Sequence, residues 1–200
     1  MEMDLLEHDD MGSHIRNHRL TQLQDESRKT STSLAEGLDL LKRFKSQLNL
    51  PERVLHTAYR IYGRCVEQEL LRGRDRKHIA LACLYRATLE EKLPRPLSIF
   101  EEKVIGENMI GRTYNIIKKE LGLNYIYPKI EDCLDFIDVD QKIKREVRKR
   151  LPYVGGRDNP WILTAAFICK VKNDAELKKN ICEQLGINKH YLNEKMRMIE

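Results

Sequence analysis

Residues 70–93 read LLRGRDRKHIALACLYRATLEEKL. Gly73 reads as the end of one helix and Asp75 as the cap of the next, since glycine suits a helix stop and aspartate an N-cap. From His78 to Leu89 the residues are apolar on nearly every helical face, and the alanines and Cys83 permit close approach. A helix that is apolar all round is buried on every side. The stretch therefore predicts the central helix of a five-helix unit. The tripeptide Gly73-Arg74-Asp75 returns as Gly156-Arg157-Asp158 in YVGGRDNPWILTAAFICK (153–170), again ahead of an apolar run. Either the chain is internally duplicated, or two unrelated bundles use the same helix stop and cap. The order of the flanking segments favours duplication.

Outward from this centre the periodicity is helical. In SLAEGLDLLKRFKSQLNL (33–50), Leu34, Leu38, Leu41 and Phe44 fall at three- and four-residue spacing, and Ser33 with Glu36 has capping-box spacing. Pro51 opens PERVLHTAYRIYGRCVEQELL (51–71), whose apolar face is Val54, Ala58, Ile61, Cys65 and Leu70 and whose end is expected at Gly73. Pro94 and Pro96 break the chain. LSIFEEKV (97–104) and NMIGRTYNIIKKEL (108–121) predict two shorter helices, closing at Gly122. The second half repeats this order in shorter form. VDQKIKREVRKRL (139–151) is helical, Asp158 and Pro160 start WILTAAFICKV (161–171), and two helices flank Gly186. With one residue deleted, Ile110–Tyr114 aligns with Leu192–Met196. The expected division is a linker-like segment 1–32, a first repeat 33–124 and a shortened second repeat 125–200.

Composition narrows the function classes. The 200 residues carry a formal charge of +5 with 34% charged and 41% hydrophobic residues, a globular and mildly basic chain that permits a nucleic-acid partner. No apolar stretch approaches the ~18–20 residues that span a bilayer, so no membrane partner is expected. The acidic start MEMDLLEHDD has no apolar core of a signal peptide. Five scattered cysteines form no CxxC pair, which excludes a zinc ribbon within this chain; no cofactor or metal is expected, and reduced thiols indicate an intracellular compartment. No Gly-rich phosphate loop, HExxH or GxSxG is present, so no enzyme is expected. Trp161 and the eight tyrosines are expected to pack, with base stacking as the minority reading.

Three basic surfaces stand out. ICEQLGINKHYLNEKM (181–196) fits a helix-turn-helix, with Ile181, Leu185, Ile187 and Leu192 packing the two helices and Lys189, His190, Asn193, Lys195 and Arg197 facing outward. Lysines suit phosphates and asparagine can pair with adenine, although a packed helix pair with a solvated face has the same pattern. QKIKREVRKRL (141–151) holds six Lys/Arg against one Glu and reads equally as phosphate contact or solvated surface. Arg112, Lys118 and Lys119 form a smaller cluster, and Arg72, Arg74, Arg76 and Lys77 crowd the turn before the central helix. Arg74 and Arg157 can equally serve as structural partners of neighbouring acids.

The linked segments Arg72–Arg74, Ala80/Ala82/Tyr85, Pro94–Leu97 and Ile110–Tyr114 resemble the first cyclin-like repeat of archaeal transcription factor B and eukaryotic transcription initiation factor IIB. The resemblance covers residues 15–124 well and the second half less well. It implies an all-α fold of two cyclin-like repeats, the second shortened and ending in a helix-turn-helix. It implies a non-catalytic, monomeric core that bridges the TATA-binding protein on promoter DNA to RNA polymerase. Arg72, Arg74, Arg76 and Lys77 would then face the TATA-binding protein. Arg112, Lys118, Lys119, Lys189, Asn193, Lys195 and Arg197 would face DNA. A cytoplasmic location would follow for an archaeal or viral source, a nuclear one for a eukaryote. Two departures matter. The stretch from Pro128 to Gly156 is about ten residues short, so the first helix of the second repeat is expected to be truncated or absent. The family's R-N-R-Y recognition positions hold Asn193, Glu194, Lys195 and Met196, which weakens base reading. The alternative is a cyclin-like protein-interaction module, or a divergent paralogue that regulates transcription without reading sequence. An unrelated helix-turn-helix regulator is a weaker third.

Overall fold

A computed structural model describes residues 30–102, 109–150 and 159–199. Every regular element among them is an α-helix. In the first half α1 spans 30–47, α2 Glu52–Glu67, α3 Arg76–Glu90, α4 Leu97–Glu101 and α5 Met109–Glu120. In the second, α6 spans Ile130–Phe136, α7 Gln141–Arg150, α8 Pro160–Val171, α9 Ala175–Leu185 and α10 Lys189–Met198. This is the all-α arrangement of two cyclin-like repeats, five helices each, that ends in a helix-turn-helix.

The apolar runs at the centre of each half dictate the packing. On α3 every residue from Ile79 to Leu84 is buried, and on α8 every residue from Trp161 to Cys169. Each of these helices is enclosed by its neighbours, α3 by α2 and α5, α8 by α6, α7 and α10. One apolar cluster runs from Leu41 to Leu121 and a second from Cys133 to Leu192. Among the described residues no helix is long and apolar enough to cross a membrane.

Asp75 caps α3 as expected, accepting from the Lys77 amide at 2.8 Å. On α8 the cap is Asn159, whose side chain accepts from the Trp161 amide, with Pro160 in the first turn; Arg157 and Asp158 lie outside the described residues. Ser33 stands inside α1 rather than at its cap, because the helix is already formed at residue 30. Nor does α2 run to Gly73. It stops at Glu67, where Glu69 takes a left-handed conformation (φ 53°) and the Leu70 amide reaches back to the Cys65 carbonyl at 2.8 Å. Leu70 thereby tucks into the core, a hydrophobic contact that favours this stop over the glycine further on. Asn49, Lys92, Gly122 and Gly186 end α1, α3, α5 and α9 in the same way, each followed by an apolar residue. The first helix of the second repeat is present but truncated to the seven residues of α6, which buries Cys133 and Leu134, with Ile137 buried at its C-cap.

Cys83 and Cys169 are buried free thiols, as expected of cysteines in apolar runs. Cys65 Sγ and Cys83 Sγ approach to 4.0 Å, and burial pushes the Cys83 thiol well above its ordinary value.

Candidate nucleic-acid interface

The last two helices meet across a three-residue turn, Gly186-Ile187-Asn188. Gly186 supplies the left-handed turn (φ 63°), and Asn188 caps α10 by accepting from the His190 amide at 2.8 Å. At the other end of α9, Asp174 accepts from the Glu176 and Leu177 amides. The Leu177 bond, followed by that of Glu176, holds the Asp174 carboxyl below the usual carboxylate range. Ile181, Leu185 and Leu192 are buried between the helices, and Ile187 packs against the same cluster. This is the geometry of a helix-turn-helix, whose second helix presents its N-terminal residues outward.

Of the α10 residues expected to face outward, Lys189, His190 and Arg197 are exposed, and Asn193 and Lys195 are partly covered. Lys195 Nζ sits 5.9 Å from the centroid of the Tyr191 ring. Glu194 is exposed among them and lowers the positive potential of that face.

The other basic surfaces differ in what they leave for a partner. On α5, Arg112 and Lys119 are exposed, while Lys118 Nζ lies 4.9 Å from the Tyr125 ring centroid and 5.9 Å from that of Tyr114. In the turn before α3, Arg72 and Lys77 are exposed. Arg74 donates to the Leu70 carbonyl at 2.9 Å, a structural role through the backbone rather than through a neighbouring acid, and Arg76 pairs with Glu36 of α1. Arg76 stands nine residues, about 14 Å of helix, before Tyr85 on α3. The basic helix α7 is partly occupied with its own fold. Lys144 is buried and donates to the Asp135 carbonyl at 3.1 Å, and Arg148 pairs with the Asp135 carboxylate.

Between the two repeats runs a groove of about 520 Å³. Tyr85 and Leu97 of the first repeat, Tyr125 and Tyr127 of the connecting segment, and Trp161 and Tyr191 of the second all line it. Sequence reasoning missed it. Trp161, Tyr62 and Tyr114 are buried as expected, but Tyr125 is 54% exposed, Tyr127 57% and Tyr191 40%. The groove connects two of the predicted basic clusters, since Lys118 lies over Tyr125 and Lys195 over Tyr191. Burial followed by the neighbouring Tyr127 raises the Tyr125 phenol above its ordinary value, keeping it neutral. The repeats touch at the groove's edge. The Gly186 turn packs against Ser98 of α4, whose hydroxyl donates to the Leu185 carbonyl at 3.4 Å, and the Arg95 guanidinium lies 4.5 Å from the Phe136 ring centroid. Among the described residues no group of His, Cys, Asp and Glu could hold a metal ion.

The model of the transcription factor TFIIB repeat family matches residues 30–120. The chain is also similar to proteins named transcription initiation factor IIB. It is 36% identical over 125 residues to that of Methanoculleus marisnigri, an overlap of 62% of this chain and 37% of the relative. It is 40% identical to that of Methanosarcina mazei over the same shares of the two chains. Against that of Methanothrix thermoacetophila it is 41% identical over 98 residues, 48% of this chain and 29% of the relative. The matched region thus spans about a third of the curated relatives' length. The part of the chain that resembles the transcription factor TFIIB repeat, residues 30–120, contains all five helices of the first unit.

Proposed function

We propose that this chain acts in transcription initiation as a core of the transcription factor B and initiation factor IIB type. In this reading it bridges the TATA-binding protein on promoter DNA to RNA polymerase and catalyses nothing. The observation that carries the reading is the family match over the whole first repeat. The helix-turn-helix that ends the second supports it, with Lys189, Asn193, Lys195 and Arg197 on one helix. Arg112, Lys118 and Lys119 would add phosphate contacts, and Arg72, Arg74, Arg76 and Lys77 would meet the TATA-binding protein. The test is a gel shift of TATA-box duplex with and without the TATA-binding protein. Weak binding alone and strong binding beside the second protein is the expected result. Affinity indifferent to that protein would remove the bridging role.

Glu194, exposed on the recognition helix, favours a second reading, in which the repeats bind a protein partner and the second has lost its grip on DNA. A Lys189→Ala, Arg197→Ala double variant that shifts the ternary complex as well as the original chain would support it.

A further inference from the structure

The groove between the repeats has a composition that duplex contact does not require. Among the described residues its lining contains no acidic or basic side chain, yet five aromatic side chains from four separate parts of the fold meet there: Tyr85, Tyr125 and Tyr127, Trp161, and Tyr191. Tyr125, Tyr127 and Tyr191 expose a large fraction of their surface, and the first two rings lie 4.2 Å apart between centroids. Cations stand at two edges, Lys118 over Tyr125 and Lys195 over Tyr191. Exposed rings in a concave channel, with positive charge at its borders, are the elements of a stacking platform for unpaired bases. The rings accept the flat base faces, and the ammonium groups meet the phosphates that follow.

We infer that this groove binds a short stretch of single-stranded DNA, with bases stacked on Tyr125, Tyr127 and Tyr191 and the backbone passing Lys118 and Lys195. The choice of DNA rests on the promoter-binding reading above and on the polar lining. Asn159 and Asn188 use their side-chain oxygens as helix caps, and Ser98 donates to the Leu185 carbonyl. Those two oxygens and the Ser98 hydroxyl proton are engaged with the backbone, which leaves fewer groups to select a ribose 2′-hydroxyl, the group by which a site prefers RNA. A proline-rich peptide would also find aromatic rings here, but it offers no negative charge to the two lysines.

The chain carries its own reporter. Trp161 is its single tryptophan and lines the groove at 8% exposure. The experiment titrates the full chain with oligo(dT) of about twelve nucleotides and follows Trp161 emission. Saturable quenching is expected. Tyr127→Ala and Tyr191→Ala should each weaken binding about tenfold, the loss of one stacked base, while Tyr127→Phe retains it. Lys118→Ala should lower the salt slope by about 0.7, one single-strand phosphate. Quenching that survives both alanine variants, equal binding of oligo(U), or quenching by a proline-rich peptide but not by oligo(dT) would overturn the assignment. The two readings fail separately. If Tyr127→Ala leaves the gel shift with the TATA-binding protein intact and oligo(dT) does not bind, only the groove is lost. Oligo(dT) binding without any response to the TATA-binding protein would instead sink the bridging role and keep the groove.

Discussion

Gly37 lies against the ring of Tyr62, so close that a methyl group at position 37 would overlap three atoms of the ring. Tyr62 is wholly buried in the core cluster. In an open helix Gly37→Ala would stabilise by ~1 kcal/mol through propensity alone. Here overlap reverses the sign, and a loss of about 1–3 kcal/mol is expected from overpacking between α1 and α2. Urea midpoints of the two proteins measure it. A midpoint that rises would mean the ring yields without cost.

High pH should unfold the protein through its buried neutral groups. Burial is the main cause that pushes the Cys169 thiol from 9.0 up to about 11 and the Tyr62 phenol from 10.0 up to about 12. In both cases the folded state holds its proton more tightly than the unfolded chain. The contribution is therefore fully present below the unfolded value and is lost as pH rises, from 9 to 11 for Cys169 and from 10 to 12 for Tyr62. Stability should be flat through neutral pH and fall above pH 9. Cys169→Ala should flatten the first part of that decline, a difference visible in urea melts at pH 8 and pH 10.5. Among the described residues the Tyr62 hydroxyl has no hydrogen-bond partner, so Tyr62→Phe should change neutral-pH stability by less than about 1 kcal/mol while removing the later part.

Two left-handed helix stops should respond with opposite signs. Lys92 holds φ 55° with a full side chain, and Lys92→Gly should stabilise by roughly 0.5–1 kcal/mol by relieving that conformation. Gly186→Ala should destabilise by about 1–2 kcal/mol. It adds the same conformational strain, and its new methyl would meet Ser98 Cβ and Oγ at 3.3 Å. Thermal melts separate the two. If Gly186→Ala melts no lower than the original chain, the turn does not bear on α4 as described.

On α10, Lys189→Ala and Arg197→Ala should weaken duplex binding about equally on promoters with and without a purine-rich upstream element, and each should reduce the salt slope by about 0.9. Phosphate contacts carry no sequence information. Glu194→Arg should strengthen binding and introduce preference for guanine, which arginine pairs bidentately. Competition assays on the two promoter types at two salt concentrations decide this. Strong discrimination by the original chain, lost on Lys189→Ala, would show that α10 already reads bases.

The fold was legible where one residue class answers one physical demand. An all-round apolar run can only be a central helix, and Ile79–Leu84 and Trp161–Cys169 are central. The α6 signal was confined to Cys133, Leu134 and the capping Ile137, and its seven residues hold too few turns for a periodic pattern to stand out. The end of α2 was misread because Glu69 adopts a conformation that sequence assigns to Gly73; the burial of Leu70, a tertiary contact, decides it. The outward face of α10 could be read from its spacing. The groove could not, because Tyr85, Tyr127, Trp161 and Tyr191 come from distant parts of the chain and nothing local in the sequence brings them together.

The contact of Ser98 with the Leu185–Gly186 turn sets the terms on which the second repeat can work. Because the turn rests on α4, a partner gripped by the first repeat does not meet α10 as a second, independent event. It meets it at an effective concentration fixed by geometry, of the order of millimolar or above. Under the proposed function, a recognition helix with a dissociation constant below that concentration would be occupied most of the time once the first repeat is bound, and Glu194 would be tolerated there without loss of assembly.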